Sequence, residues 1–534
     1  MEEKVQLQAK SKRRRRLRML LIGIVVFIVA SFVSLYSYGV FAARVKGAES
    51  YALPIEAGAT KLDRIIAPMT QERPDQTALM MLKENLDAFM ARAVTAREAQ
   101  RSLDLQYYLW HEDLTGYLLD LEILKAADRG VRVRIILDDM TAHGRESALA
   151  AMDLHPNIEI RLFNPTRARQ NRLMRGVEML LRLINTNRRM HNKAWIVDNR
   201  IAIVGGRNIG NEYFDAAPQT NFFDLDMMLA GPAVADASAI FDDFWNSDAV
   251  IPLDALFKIK PEALETFRQI AEEKHDELIA QPYVQHMRET PTVTALYAKG
   301  LPVYWSEWVR VISDPAGKGL NREEDKWLIH EMYPQWASAT HEFKIMSAYF
   351  VPGVVGSHGL ANMVAKGVDV AVLTNSLAAT DVIASHSGYM PYREQLFNAG
   401  VRLYELKPFA EHKQKIFGSS GASLHTKAYI VDGHTGFIGS FNFDPRSTNL
   451  NTEMGVVFHD PRVIQELNEE FDELSGPRYS YQLKRSPVTN ELIWEDHPDE
   501  TGEVYREWDH EPETSWPKRA AVVVLSWLPI EWLL

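Results

Sequence analysis

The stretch SLHTKAYIVDGHTGFIGSFNFDPRSTNLNTE, residues 423–453, sets His425, Lys427 and Asp432 in the spacing H-x-K-x4-D, then Gly439-Ser440-Phe441-Asn442, then Glu453. Residues 428–431 are apolar and partly β-branched, which predicts a buried strand. Side chains alternate along a strand, so His425 and Lys427 project to one side. A turn at Asp432-Gly433 leads into a second short strand over 435–439, which delivers Asn442 to the same end of the sheet. An imidazole, an ammonium and a carboxamide converging on one point suit an anionic tetrahedral group, and phosphate is the evident candidate.

A lone match of this kind is weak, but the chain carries it twice. Residues 189–198, RMHNKAWIVD, repeat it with His191, Lys193 and Asp198, and Gly205-Gly206-Arg207-Asn208 follows. His425 lies 234 residues beyond His191, and Asn442 lies the same 234 beyond Asn208. Further on, Asp224-Leu-Asp226 answers Glu453-Met-Gly455, with the offset shortened to 229 by a longer loop in the first copy. Upstream, Gly130-Val-Arg-Val answers Gly367-Val-Asp-Val. The chain is an internal duplication.

The duplicated H-x-K-x4-D with its downstream Gly-Gly/Ser-x-Asn resembles the phospholipase D superfamily. With its long apolar N-terminal segment, the chain is similar to bacterial cardiolipin synthases, especially those that draw on phosphatidylethanolamine. The resemblance implies an α/β fold of two phospholipase D-like domains, with mostly parallel or mixed sheets flanked by helices. A pseudo-twofold would relate the domains, with one composite site between them. It implies transfer of a phosphatidyl group from phosphatidylethanolamine or phosphatidylglycerol onto phosphatidylglycerol, through a phosphohistidine, with no cofactor and no metal. The alternatives are a hydrolase releasing phosphatidic acid, or an inactive membrane scaffold, against which two intact motifs count. A helper protein is a possible partner, alongside the phospholipid substrates and the bacterial inner membrane.

By the same resemblance His191 is the nucleophile and His425 the acid and base, although the two copies are too alike for sequence to choose. Lys193, Lys427, Asn208 and Asn442 would hold the phosphoryl oxygens. Ser440 would add a hydrogen bond that the Gly206-Arg207 of the first copy lacks. Asp224 and Glu453 stand where relatives place a carboxylate that orients an imidazole, with Asp226 competing for the first role. Asp198 and Asp432 complete the catalytic motifs, but five residues past each lysine they read as strand-end residues rather than phosphate contacts.

Composition narrows the rest. A chain of 534 residues is too long for one core, and a 46% apolar fraction fills two. Net charge is −12, yet residues 1–18 alone carry +6, so the body stands at −18. Such a body repels polyanions, which argues against a nuclease or any nucleic-acid partner. The absence of cysteine excludes disulfides and thiolate chemistry.

In chain order the expected units are a basic cytoplasmic tail (1–18), an uncleaved transmembrane anchor (19–43), a linker (44–76) and a first domain (77–250). A helical connector (251–300), a second domain (301–475) and a C-terminal extension (476–534) follow. The apolar run is longer than the roughly 7–15 residues of a signal-peptide core, and the basic cluster predicts a cytoplasmic N-terminus. That puts the domains on the periplasmic side. Residues 77–102 read as helix, 103–110 as strand, 115–128 as helix and 131–137 as strand; 303–313 read as the strand opening the second domain. Residues 167–189 hold seven arginines among apolar residues and read either as a surface helix with a solvated basic face or as a basic face laid on anionic headgroups. The tail 520–534, with Trp527 and Trp532, is either docked on the domain or a second interfacial anchor. Aromatic runs at 107–110 and 349–352 match across the repeats and suit either a cleft rim or core packing. His111, His386, His412 and His434 have no motif partner and receive no role.

Overall fold

The computed structural model describes residues 2–169, 171–408, 421–497 and 506–534. The first half holds β1 (Thr77–Leu82), β2 (Ser102–Tyr107), β3 (Arg132–Asp138), β4 (Ile158–Phe163), β5 (Ala194–Val197), β6 (Ile201–Gly205), β7 (Thr220–Phe223), β8 (Asp226–Ala230), β9 (Val250–Pro252) and β10 (Tyr304–Ser306). The second holds β11 (Val309–Ser313), β12 (Glu342–Ser347), β13 (Asp369–Asn375), β14 (Arg402–Leu406), β15 (Gly421–Leu424), β16 (Lys427–Val431), β17 (Thr435–Gly439) and β18 (Met454–Phe458). It continues through β19 (Ser480–Arg485), β20 (Leu492–Asp496) and β21 (Arg506–Trp508).

Two large sheets result, in the spatial orders β10-β1-β8-β6-β5-β2-β3-β4-β9 and β11-β18-β17-β16-β12-β13-β14-β19-β20-β21. Their centres match: β2, β3 and β4 are parallel, as are β12, β13 and β14, and the motif strands β5 and β16 run antiparallel beside them. The parallel strands are joined through helices such as Leu114–Asp128 and Gly353–Ala365, the expected βαβ pattern. Gly130 and Gly367 adopt φ of +92° and +93° just past those helices, which a side chain would resist. Covered on both faces, the central strands β2 and β16 are buried along their whole length, polar residues such as Asp104, Gln106 and Lys427 included.

The halves share one core. Ile196, Met227, Ala428 and Met454 meet there, packed with residues of helices Ala233–Asn246 and Pro461–Ser475. Strands β7 and β15, one from each half, pair in parallel as a small separate sheet. The expected α/β class, with two halves of matching topology, therefore holds.

Three segment readings need correction, those of 77–102, 303–313 and 167–189, while the connector, linker and extension gain their packing. Residues 77–82 form a buried strand between β8 and β10, not the start of a helix. A short apolar run fits either state, and only tertiary pairing decides. Residues 303–313 are two strands rather than one: β10 closes the first sheet and β11 opens the second. The connector 251–300 is packed onto the first half, where Phe267, Tyr283 and Leu296 are buried in its outer core. The linker 44–76 is strapped down, because Arg161, Arg134 and Arg132 donate to the carbonyls of Ala48, Ser50 and Tyr51. The extension 476–534 begins with β19, which covers the open edge of β14. Residues 167–189 reverse the expected polarity, since Arg169, Arg175, Arg182, Arg188 and Arg189 are buried while the apolar side chains face out.

Candidate active site

Both motif histidines arrive at the seam through mirrored backbone contacts. The His191 N–H donates to the carbonyl of Thr452 (2.8 Å), and the His425 N–H to that of Phe223 (2.7 Å). Each motif therefore starts by pairing with the segment of the opposite half that carries the carboxylate. The side chains cross in the same sense. His191 Nδ1 lies 2.8 Å from Glu453 Oε2, and His425 Nδ1 lies 2.6 Å from Asp224 Oδ2. A carboxylate at Nδ1 fixes the tautomer and leaves Nε2 as the reactive nitrogen. Neither half can build its own imidazole–carboxylate pair.

Lysine and histidine lie on one side of each strand, as the i, i+2 spacing predicts. Lys193 Nζ donates to the His191 carbonyl (2.6 Å), and Lys427 Nζ to that of His425. Tyr108 packs on His191 with ring centroids 5.1 Å apart and under Lys193; Tyr349 takes the matching place at 6.5 Å from His425 and under Lys427. Of the aromatic runs, these two residues meet the site, whereas Tyr107 and Phe350 are buried in the outer cores. Phe222 stacks on His425 at 5.2 Å.

The site is buried, and burial sets the balance of its charges. It pushes the His191 imidazole down to about 4 against the pull of Glu453, and holds His425 well below its usual value beside two lysines. Lys427 is brought down to about 8 by burial, which also holds Lys193 well below its usual value. Burial thus disfavours the charged form of all four of these groups.

The carboxylates are held differently. Glu453 accepts from the hydroxyls of Ser440 and Ser447, the latter at 2.9 Å. Although burial raises it, His191 and these contacts bring it below the usual range. Burial wins at Asp224 and raises it. Asp226 is taken by Arg92 and Arg207, leaving it no part in orienting a histidine. Ser440 departs from its expected role as a phosphate ligand. Its hydroxyl donates to Glu453 and accepts from the Met454 N–H (3.0 Å), so its hydrogen bonds are already committed.

Asn208 donates to the Tyr213 hydroxyl (2.9 Å) and accepts from the Leu109 N–H (3.2 Å). Asn442 keeps a buried amide oxygen with no partner among the described residues. Asp198 and Asp432 point away from the histidines. Each adopts positive φ and accepts backbone N–H groups at the start of the neighbouring strand: Arg101 and Ser102 for Asp198, His341 and Glu342 for Asp432. They fasten strand ends. His386 sits between Arg393 and Glu511, His434 is exposed, and His412 lies outside the described residues. His111, Asp113 and Glu212 bring ligand atoms within 4.8 Å of one another; Asp113 is occupied capping a helix at Gly116 and accepting from Asn211. Sequence reasoning missed Tyr213 and Ser447. Each stands five residues after its motif asparagine, but with different residue types the repeat gave no signal.

Two buried histidines at one seam, each held by a carboxylate of the other half, make this the candidate active site. The family model described as "Cardiolipin synthase, PLD-like domain" matches residues 94–245 and 333–475. Cardiolipin synthase C of Escherichia coli strain K12 is 40% identical over 89% of this chain and 100% of its own length. An uncharacterized protein of Helicobacter pylori is 32% identical over 82% of this chain and 86% of its own. The crystal structure of a phosphatidylserine synthase from Haemophilus influenzae has the same fold, with a TM-score of 0.51 at 13% identity, covering 78% of this chain and 92% of that one. The chain belongs to the cardiolipin synthase family of phospholipase D-like proteins, and it is an enzyme of the phosphatidyltransferase class.

Proposed function

We propose that this enzyme makes cardiolipin by moving a phosphatidyl group from phosphatidylethanolamine or phosphatidylglycerol onto phosphatidylglycerol. The reading rests on the crossed pairs, His191 with Glu453 and His425 with Asp224, which leave two Nε2 atoms to serve one phosphorus. Nε2 of neutral His191 attacks phosphorus, forming an N–P bond as the bond to the headgroup oxygen breaks. His425 gives its Nε2 proton to that leaving alkoxide. In the second half-reaction His425 takes the proton of the phosphatidylglycerol hydroxyl, whose oxygen attacks phosphorus as the N–P bond breaks.

The roles follow the asymmetry. Glu453 is held anionic by two hydroxyls and His191, which makes His191 the more electron-rich imidazole. His425 must carry a proton, and the incoming phosphate supplies the reason. At 4 Å and an effective dielectric near 20, one anion favours a nearby cation by about 4 kcal/mol. The proton resident on Lys427 is then available to His425. Lys193, Lys427, Asn208 and Asn442 would bear the non-bridging oxygens.

The helix Glu2–Arg44 contains a stretch, Lys12–Arg44, long and apolar enough to cross a membrane. We place it as a single span of the bacterial inner membrane, with the basic end cytoplasmic and the catalytic halves periplasmic. The deciding experiment gives the full-length protein labelled phosphatidylethanolamine, with and without phosphatidylglycerol. Labelled cardiolipin appearing only with both lipids is expected; phosphatidic acid alone would make the protein a hydrolase. Absence of turnover both in vesicles and in native membranes, where a helper protein would be present, would leave a scaffold.

A further inference from the structure

The helices Arg172–Leu181 and Leu183–Thr186 end five residues before His191, and their outer face is made of Leu173, Met174, Val177, Leu180, Leu183 and Ile184. Leu173 and Ile184 are about three-quarters exposed, at 75% and 74%. The arginines of the segment hold it down from beneath: Arg169 and Arg175 on Asp139, Arg182 on Glu178, Arg189 on Asp138. The apolar face is therefore fixed outward by a buried ionic layer, and a strip of this kind is out of place in water.

Its neighbours identify what covers it. The N-terminal apolar helix packs directly beside it, with Tyr38 against the Arg182 guanidinium at 3.3 Å and Phe41 against Arg167 at 5.4 Å. Arg167 also donates to the Ser37 hydroxyl (3.3 Å). Wherever the bilayer surface lies along that helix, the strip begins at the same level. On the other side Arg446 binds the Asn187 carbonyl (2.9 Å) and the Leu533 carbonyl (3.0 Å), joining the strip to the C-terminal turn. That turn and the helix before it expose Val524, Trp527, Leu528 and Trp532. Tryptophan beside aliphatic residues suits the lipid–water boundary. Arg167 and Arg172 are left exposed at the strip's edge, placed for anionic headgroups.

We propose that the outer face of residues 172–186, continued by the C-terminal turn, is embedded in the interfacial layer of the bilayer that the N-terminal helix enters. It forms the membrane-side lip of the catalytic cleft. Five extended residues span at most about 17 Å, so His191 lies within a lipid's length of the strip. A donor lipid then offers its phosphate to the site while its acyl chains remain in the bilayer. This rests on the membrane-anchored phosphatidyl-transfer reading, but its first test needs no turnover.

The native chain has no cysteine, so single substitutions Leu180→Cys, Ile184→Cys and Trp527→Cys each give one labelling site in the full-length protein. A control at Glu273→Cys lies on the helix Ala263–Asp276. Each is labelled with an environment-sensitive fluorophore and reconstituted in phosphatidylethanolamine–phosphatidylglycerol vesicles containing acyl-brominated lipid. Several-fold quenching by bromine is expected at the first three sites and none at the control. Quenching by aqueous iodide equal to the control would overturn the proposal. So would protection from iodide without bromine quenching, which would place a protein on this face. In a second measurement Leu180→Ser/Ile184→Ser should raise KM for vesicle lipid about tenfold, leaving kcat and the turnover of soluble short-chain lipid unchanged. An unchanged KM would remove the lip's part in substrate capture.

Discussion

The two halves share a motif, a strand order and a crossing rule, but they fasten their carboxylates in different ways. In the second half, Glu453 is gripped by Ser440 and Ser447. In the first, the counterpart of Ser440 is Gly206, and a Cβ there would fall 2.1 Å from Asp224 Oδ1. The counterpart of Ser447 is Tyr213, which holds Asn208 rather than the acid. A longer acid with two hydroxyls faces a shorter acid that fills the room a glycine leaves. The duplicated fold supplies two equivalent imidazoles, and these second-layer differences make them unequal.

The strongest break of that comparison removes an imidazole. His191→Ala and His425→Ala should each lower turnover on the order of 10⁴-fold or more, with the double variant no worse than either single one. If the halves are unequal as argued, phosphorus-labelled donor should leave label on the His425→Ala protein and none on His191→Ala. Label retained on His191→Ala would exchange the two roles.

The carboxylates come next. Asp224→Asn and Glu453→Gln should each cost about 10²–10⁴-fold, because an amide no longer selects the Nδ1–H tautomer. Crossing makes a sharper forecast. Glu453→Gln should impair formation of the phosphoenzyme, which depends on His191. Asp224→Asn should impair leaving-group departure, and a donor with an acidic leaving group should rescue it. Rescue of both variants, or of neither, would contradict the division.

The pH profile tests the proton. Burial brings Lys427 down to about 8, so this lysine is charged below that pH and neutral above it. The ratio kcat/KM should be level up to about pH 8 and then fall tenfold per unit. Lys427→Arg should abolish that limb along with most of the rate, since arginine keeps its proton. A limb that persists in Lys427→Arg would assign the proton elsewhere.

Exchanging the second layer gives a smaller effect. Gly206→Ser forces Asp224 aside and should cost more than Ser440→Gly, which removes one hydrogen bond to a charged group, worth about 1.5–3 kcal/mol. Equal effects in a lipid-turnover assay would show that the fastening of the acids does not matter.

Much of this was legible in the sequence because duplication doubles each signal. His191, Lys193, His425 and Lys427 were fixed by spacing, and strand periodicity put each pair on one side. Crossing was not legible, because Asp224 and Glu453 lie near their own histidines in sequence and pair with the other half's only through the seam. Ser440 looked like a phosphate ligand because its alternative partner, Glu453, is thirteen residues away. The arginines of 167–189 looked like a lipid-facing surface because periodicity shows that a helix has two faces and not which one is buried. Asp138, Asp139 and Glu178 decided that, two of them from outside the segment.

The smallest predicted effect compares Asp198 with Asp432, which do one job in opposite electrostatic settings. Although burial raises it, Asp432 is brought down to about 2 by N–H and hydroxyl donors, whereas at Asp198 burial outweighs the same kind of donors and the carboxyl is raised. A carboxyl lowered on folding adds stability that is complete above the unfolded value near 4 and lost as pH falls towards 2. A raised one acts in reverse, and its cost grows as pH climbs from about 4 through its folded pKa. Asp432→Asn should therefore flatten the acid side of a melting-temperature profile between about pH 4 and 2, and Asp198→Asn should steepen the rise above about pH 4. Shifts of a degree or two are expected, because Asp432 is partly solvated and a chain of this size changes Tm little per kcal/mol. Neither variant should alter kcat, since both carboxylates hold strand ends and not the phosphate. A selective loss of kcat in one of them would move that aspartate from the scaffold into the chemistry, and the two halves would then differ at the motif itself.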